Sequence, residues 1–336
     1  MDLKTLTEIN APSGHEQAIR RFLLDELKKL GFAPVLDRMG NVVVVKEGTG
    51  DAPRKRVMVS AHMDEVGLIV TSVTEDGYLR IAAAGGIDPR VLVSKRVTVG
   101  EDKLPGVIGA VPIHLQSAAE RKHVLSMDEL LVDIGAKNKD EAECKAPMGT
   151  YISFDTPYVE YGDGFACGKA FDDRVGCLSL LRLLQEELPV DLVACFVSEE
   201  EVGCRGAKGA AFQQEPDIGI VLEGTTCNDL GDVPETAHVC EAGQGVTVSF
   251  MDGASIANRA LFRKALDVAK QENIPHQVKH SVSGGNDGGA IQRAREGVPV
   301  VVLSVPCRYI HSPSSVVKLS DVESQFALVK ALVKAL

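Results

Sequence analysis

Apolar residues fall in short unbroken blocks, and each block stops on polar or charged side chains. NVVVV lies within the segment Val35 to Lys46, RVMVSA spans 56–61, and VDLVACFV spans 190–197. DIGIVLEGTT covers 217–226 and VPVVVLSVPCRYIHSP covers 298–313. Blocks of this length between turn residues predict buried strands. Helical periodicity fills the gaps. Residues 2–10 predict a short helix. Ser13 and Glu16 form an S-x-x-E capping box that opens an amphipathic helix ending at Gly31. Further helices are predicted from Arg174 to Glu187, near Gly206 to Gln214, in ANRALFRKALDVAKQENIP, after the turn SGGNDGGAI, and from Ser320 onward.

Between Gly67 and Gly164 the texture changes. LIVTSVT, YLRIAA, RVTVG, GVIGAVPIHL, LLVDIGA and TYISFDT are short, alternating and punctuated by Gly and Pro. That pattern predicts a small all-β module with little helix. The chain therefore divides into an α/β domain, residues 1–66 plus 165–336, and an inserted β domain, residues 67–164.

Composition narrows the function classes. The 336 residues are 45% hydrophobic and 25% charged, an ordinary globular balance. A net charge of −11 argues against a nucleic-acid partner or an anionic membrane surface. No apolar run reaches a membrane-spanning length, and the first residues lack the apolar core of a signal peptide. Eight scattered cysteines with no CxxC predict reduced thiols in a cytoplasmic protein, not a cysteine-bound structural zinc site. GKAF lacks the spacing of a phosphate-binding loop, which excludes nucleotide binding there.

Candidate chemistry collects where the blocks stop. His62 follows RVMVSA, with Asp64 two residues on and on the same side of an extended chain. Asp172 and Asp173 open a helix. Glu199, Glu200 and Glu201 follow DLVACFV, Glu223 follows IGIVL, and His311 follows VVVLSVPCRYI. Each has an ordinary structural role open to it: a strand-end histidine, a helix cap, a solvated acidic loop. Together they say more, because ligands of an open α/β sheet sit beyond the carboxyl ends of its strands. Two His and three or four carboxylates, with no thiolate, suit two divalent ions such as Zn²⁺, Co²⁺ or Mn²⁺. One carboxylate must then bridge a pair roughly 3.5–4 Å apart.

SAHMDEVG (60–67), AFDDR (170–174), EEVGCRGA (200–207), GGNDGGAI (284–291) and RYIHSP (308–313) resemble the motifs of the glutamyl-aminopeptidase-type metallopeptidases. Members of that family have also been labelled endoglucanases. The match runs in register along nearly the whole chain and includes GGIDPRVL, GVIGAVPIH and LLVDIGAKNKDEAE in the β module. The resemblance implies a mixed-sheet, zinc-exopeptidase-like catalytic domain with an inserted PDZ-like or barrel domain for dimerisation. It implies two divalent metal ions per subunit, zinc or cobalt with manganese also compatible. By position, Asp172 would bridge the ions, His62 and Glu223 would complete one site, and Glu201 and His311 the other. Glu200 would be the general base, Asp64 would orient His62, and the Asp172–Asp173 peptide would be cis. It further implies peptide substrates and self-association to a homododecamer by way of dimers. Two positions depart from the family pattern: Glu223 stands where Asp is commoner, and Glu199 where Gln is.

The activity so implied is hydrolysis of an N-terminal peptide bond. A glycoside hydrolase could also use two carboxylates. Only 4% of the residues are aromatic and none is Trp, so sugar-stacking surfaces are scarce, and such an enzyme has no need of His62 or His311. An inactive assembly or binding protein would have no need of the full ligand set.

Overall fold

A computed structural model describes residues 2–336. Eleven strands form one mixed sheet, and six more close into a separate barrel. The centre of the sheet is parallel. Asp191–Val197, Arg56–His62, Ile218–Thr226 and Val300–Arg308 lie side by side in that order. Antiparallel strands flank them on both sides.

The apolar blocks are continuous because these strands are buried on both faces. On one face Val57, Val59, Ala61, Leu192, Ala194 and Phe196 pack beneath the helices Phe171–Leu183 and Leu319–Lys334. On the other face Met58, Val193, Cys195 and Val197 meet Ala207, Ala210 and Ala290 of the helices Arg205–Gln214 and Asp287–Gln292. Fully burying each large apolar side chain contributes about 1.5–3 kcal/mol before the opposing chain entropy.

The barrel takes its strands from Gly67–Val73, Leu79–Ala84, Arg96–Val99, Leu104–Gly109, Leu131–Asp133 and Tyr151–Phe154. All six predicted β stretches supply one strand each. Leu68, Val70, Leu79, Ile81, Val97, Val99 and Ile152 fill its interior. Alternation read correctly here because each strand has only one core-facing side. The chain returns to the large sheet at Val159–Tyr161, which pairs with Phe165–Gly168. The division expected at residue 164 thus falls inside a hairpin of the large sheet. Its first strand is exposed throughout, so its sequence carries no buried block.

Two local expectations fail. Val35 to Lys46 is not one strand but a hairpin of Val35–Leu36 and Val42–Lys46. The Asp37 carboxylate makes the turn by accepting from Met39 N at 2.8 Å, Asn41 N at 3.0 Å and Asn41 Nδ2 at 2.7 Å. The predicted capping box is also absent. The helix runs Gln17–Lys29 with Glu16 as its N-cap, and no side-chain cap bond forms. Ser13 is instead turned to Asp64.

Candidate metal centre

The parallel strands point their carboxyl ends the same way. His62 is the last residue of its strand, and the loop 198–204 follows the neighbouring one. Glu223 does not end its strand as expected. It pairs with Ser304 inside it, and the strand continues to Thr226 beside Cys307. His311 stands three residues past Arg308 with a positive φ of 56°. The barrel closes one side: a Cβ on Gly86 would lie 3.6 Å from His311 Nδ1, and one on Gly85 would lie 3.4 Å from Glu201 Cβ.

Asp172 sits at the centre. Its Oδ1 lies 3.3 Å from His62 Nε2, and its Oδ2 lies 3.4 Å from His311 Nε2. Glu223 Oε2 approaches His62 Nε2 at 3.6 Å, and Glu201 Oε2 approaches His311 Nε2 at 3.3 Å. One carboxylate thus divides two His–Glu pairs. The Asp172–Asp173 peptide is cis, and neither residue has helical dihedrals although their helix is continuous beyond them. The adjacent aspartates diverge in task. Asp173 Oδ1 accepts from Gly176 N at 2.9 Å, the capping role open to one of the two.

Asp64 is fully buried behind this pair. Its Oδ1 is 3.5 Å from His62 Nδ1 and accepts from Glu200 N at 3.1 Å. Its Oδ2 accepts from Glu201 N at 3.2 Å and from the Ser13 hydroxyl at 2.6 Å. The closest partner of His62 Nδ1 is the Asp64 backbone carbonyl at 3.1 Å. A proton on Nδ1 leaves the Nε2 lone pair facing Asp172 and Glu223, as a metal ligand requires.

The electrostatics call for cations. Burial pushes Glu201 and Glu223 up to about 8 and raises Asp173 and Glu200 well above the carboxylate range. Burial alone would lower both imidazoles, but the carboxylates outweigh it and hold His311 up at about 9. Burial would likewise raise Asp172, and the His311 and His62 hydrogen bonds instead hold it low. Glu223 Oε1 and Asp173 Oδ2 are buried without any hydrogen-bond partner. Orphaned carboxylate oxygens beside imidazole nitrogens are the donor set of borderline divalent ions. Two groups, His62 with Asp172 and Glu201, and His62 with Asp173 and Glu223, each bring their ligand atoms within 4.8 Å of one another. The site opens into a cavity of about 320 Å³ lined by Asp172, Glu200, Glu223, Lys279, Asn286 and His311.

The M42 glutamyl aminopeptidase family matches residues 40–328. The chain belongs to this family. The lysyl aminopeptidase of Pyrococcus furiosus is 33% identical over 345 residues, 99% of this chain and 96% of the relative. An aminopeptidase structure from the archaeon Desulfurococcus kamchatkensis superposes with a TM-score of 0.93 at 32% identity, covering 99% of this chain and 94% of that one. The TET1 peptidase of Pyrococcus horikoshii, which can assemble into a tetrahedron or a large octahedral shell, superposes with a TM-score of 0.87 at 33% identity, covering 99% and 98%. As an M42 member the chain is of the metal-dependent aminopeptidase class.

His62, Asp64, Asp172, Glu200, Glu201, Glu223 and His311, to which the resemblance gives roles, come together at this centre. Glu199 is not among them: it forms an ion pair with the exposed Arg205 at 3.2 Å. Glu65, next to Asp64, is bound at 2.8 Å by the buried Lys169 ammonium and by Ala11 N, and so belongs to the packing. Sequence reasoning missed Ser13, whose spacing to Glu16 imitated a cap. It also left Asp287 unassigned, although GGNDGGAI was singled out.

Proposed function

We propose that this chain removes N-terminal residues from peptides at a dinuclear metal centre, with Glu200 as general base. The observation that carries this is the Asp172 carboxylate, whose two oxygens face the two histidines separately. Asp172 would hold both ions, His62 and Glu223 would complete one position, and Glu201 and His311 the other. Zinc, cobalt and manganese all suit this oxygen and imidazole set. When bound, such ions supply Lewis acidity toward the scissile carbonyl and lower the pKa of a water molecule. Glu200 lines the cavity without lying among the close His–carboxylate pairs, which leaves it free to take the water proton and pass it to the leaving amine. Asp64 holds His62 and the amides of Glu200 and Glu201 in register. A free N-terminal amine would bind beside the ions and these carboxylates, which restricts the reaction to chain ends.

The test is Glu200→Gln. Turnover of aminoacyl chromogenic substrates should be lost while two equivalents of metal stay bound. Near-full activity in that variant would show that another group moves the proton.

Assembly to a homododecamer by way of barrel-mediated dimers is the quaternary state we infer. Val111, Ile113, Leu115 and Val124 of the barrel domain are exposed, an apolar segment suited to burial between subunits. The tetrahedral assembly of the TET1 relative supports the same state. Light scattering should give a mass near twelve times 35.9 kDa; an active species that stays monomeric or dimeric would refute it. All eight cysteines are free, which fits a reducing cytoplasm.

A further inference from the structure

A second cluster of ligand atoms adjoins the metal centre and shares only Glu200 with it. Glu200, Cys204 and Asp287 each bring one ligand atom within 4.8 Å of the others. The Cys204 thiol lies 3.3 Å from Glu200 Oε1. Asp287 is 1% exposed, and neither of its carboxylate oxygens has a hydrogen-bond partner. It is not the cap of its own helix, since Asn286 does that by accepting from Gly288 N at 2.9 Å. A buried carboxylate with nothing to accept from is costly unless protonated or matched by a cation. Here it is aimed at a thiol and a second carboxylate.

The spacing fits an ion. A tetrahedral zinc with bonds of about 2.3 Å to sulfur and about 2.0 Å to oxygen sets those ligands about 3.5 Å apart. The thiol–carboxylate separation is already close to that. A sulfur donor also distinguishes this cluster from the oxygen and imidazole set around Asp172, because thiolate selects zinc and cadmium over harder ions.

We propose that Glu200, Cys204 and Asp287 form a third divalent-cation site, selective for thiophilic ions, whose occupation withdraws Glu200 from proton transfer and so inhibits the enzyme. Binding breaks the Cys204 S–H bond and displaces the proton that the empty site leaves on Asp287; both protons leave to solvent as the metal–sulfur and metal–oxygen bonds form, with no change of oxidation state. Ion binding stands on this geometry alone. The inhibition rests on Glu200 being the general base.

The experiment starts from holoenzyme already holding two ions and titrates it with Cd²⁺ while the thiolate-to-cadmium absorption band and the rate are followed. Zn²⁺ is then titrated for the rate alone. A third equivalent should bring up the band as activity falls at least about tenfold, and Cys204→Ala should remove the band. The inhibition constant, taken against each variant's own uninhibited rate, should rise in Cys204→Ala and in Asp287→Asn by at least the about tenfold that losing even an outer-shell partner costs a metal site. The exposed Cys144 contributes equally to wild type and variant, so the difference spectrum is read. A difference spectrum with no band, or an unchanged inhibition constant in Cys204→Ala, overturns the proposal. If that variant fails to fold, the titration of Cys144→Ser, which loses the exposed thiol and keeps Cys204, decides alone: no band at the third equivalent overturns the site. Should Glu200→Gln remain active, the base assignment fails, and the cadmium band still reports whether the site exists.

Discussion

The Ser13 hydroxyl donates to Asp64 Oδ2 at 2.6 Å across 51 residues of sequence. That bond ties the segment before the first long helix to the carboxylate behind His62. Asp64 is fully buried and also accepts the amides of Glu200 and Glu201, so its orientation sets the histidine and the acidic loop together. Outer-shell partners of a metal ligand are worth about 10–100-fold in affinity or activity. Ser13→Ala should therefore lower kcat or metal affinity by about tenfold, the low end of that range, since two amides still hold Asp64. Metal titration and steady-state kinetics on the variant check this. A helix-capping role would instead show as lost thermal stability with unchanged metal affinity.

Asp172 carries a different expectation from its neighbours. Its oxygens serve both histidines, whereas Glu223 approaches only His62 and Glu201 only His311. Asp172→Asn replaces one oxygen by a donor and should leave less than one tightly held ion per subunit. Glu223→Gln and Glu201→Gln should each leave about one, because each keeps the other half of the pair. Metal analysis after dialysis separates the cases. Equal stoichiometry in all three variants would mean that Asp172 does not bridge.

Much of this was legible in the sequence, and the failures share a cause. Buried parallel strands announce themselves by unbroken apolar blocks, and barrel strands by alternation, so both sheets could be placed. His62 was legible because its strand stops there. Glu223 was found, but its place was not, since Gly224 to Thr226 pair with Val305 to Cys307 and prolong the strand past the ligand. Ser13 and Asp287 were invisible for a tertiary reason. One matched a local capping pattern while bonding to a residue 51 positions away, and the other lay in a glycine-rich turn whose partners come from another loop. Glu199 could not be told from Glu200 or Glu201 by composition; the turn of the loop and Arg205 decide it.

Gly206 holds the acidic loop in place by having no side chain. A Cβ there would collide with Asn41 Oδ1 and with the carbonyl of Ser198. That Asn41 oxygen accepts from Ser198 N at 2.9 Å, and its amide donates to the Gly206 carbonyl at 3.0 Å. Gly206→Ala should overpack this bridge and destabilise the fold by about 1–3 kcal/mol. Because the bridge lies directly before Glu199 to Glu201, activity should fall further than the unfolded fraction alone explains. Denaturant melts and rates per folded molecule check this. A variant as stable and active as wild type would show that Asn41 moves aside.

Removing the metals should make stability depend on pH in one direction. Glu201 and Glu223 are pushed by burial from 4.5 up to about 8 in the folded chain. Protonated and folded they are tolerated, but above 4.5 the unfolded chain ionises them freely while the folded one resists. His311 is raised from 6.5 to about 9, because its carboxylate partners outweigh burial. Its favourable contribution is whole below 6.5 and is lost as pH climbs through 9. For all three groups the folded chain binds more protons than the unfolded chain, so stability falls as pH rises. Asp172 has the opposite sign, but its contribution is lost only as pH drops below the ordinary aspartate value of 3.8, outside this window. Chelated protein should thus melt at steadily lower temperature between pH 4.5 and 9. Bound ions would keep the carboxylates charged and the imidazoles neutral, so the holoprotein should lack that slope or reverse it. Thermal melts with and without chelator across the window decide the matter, and parallel curves would mean that these carboxylates do not sense the metals.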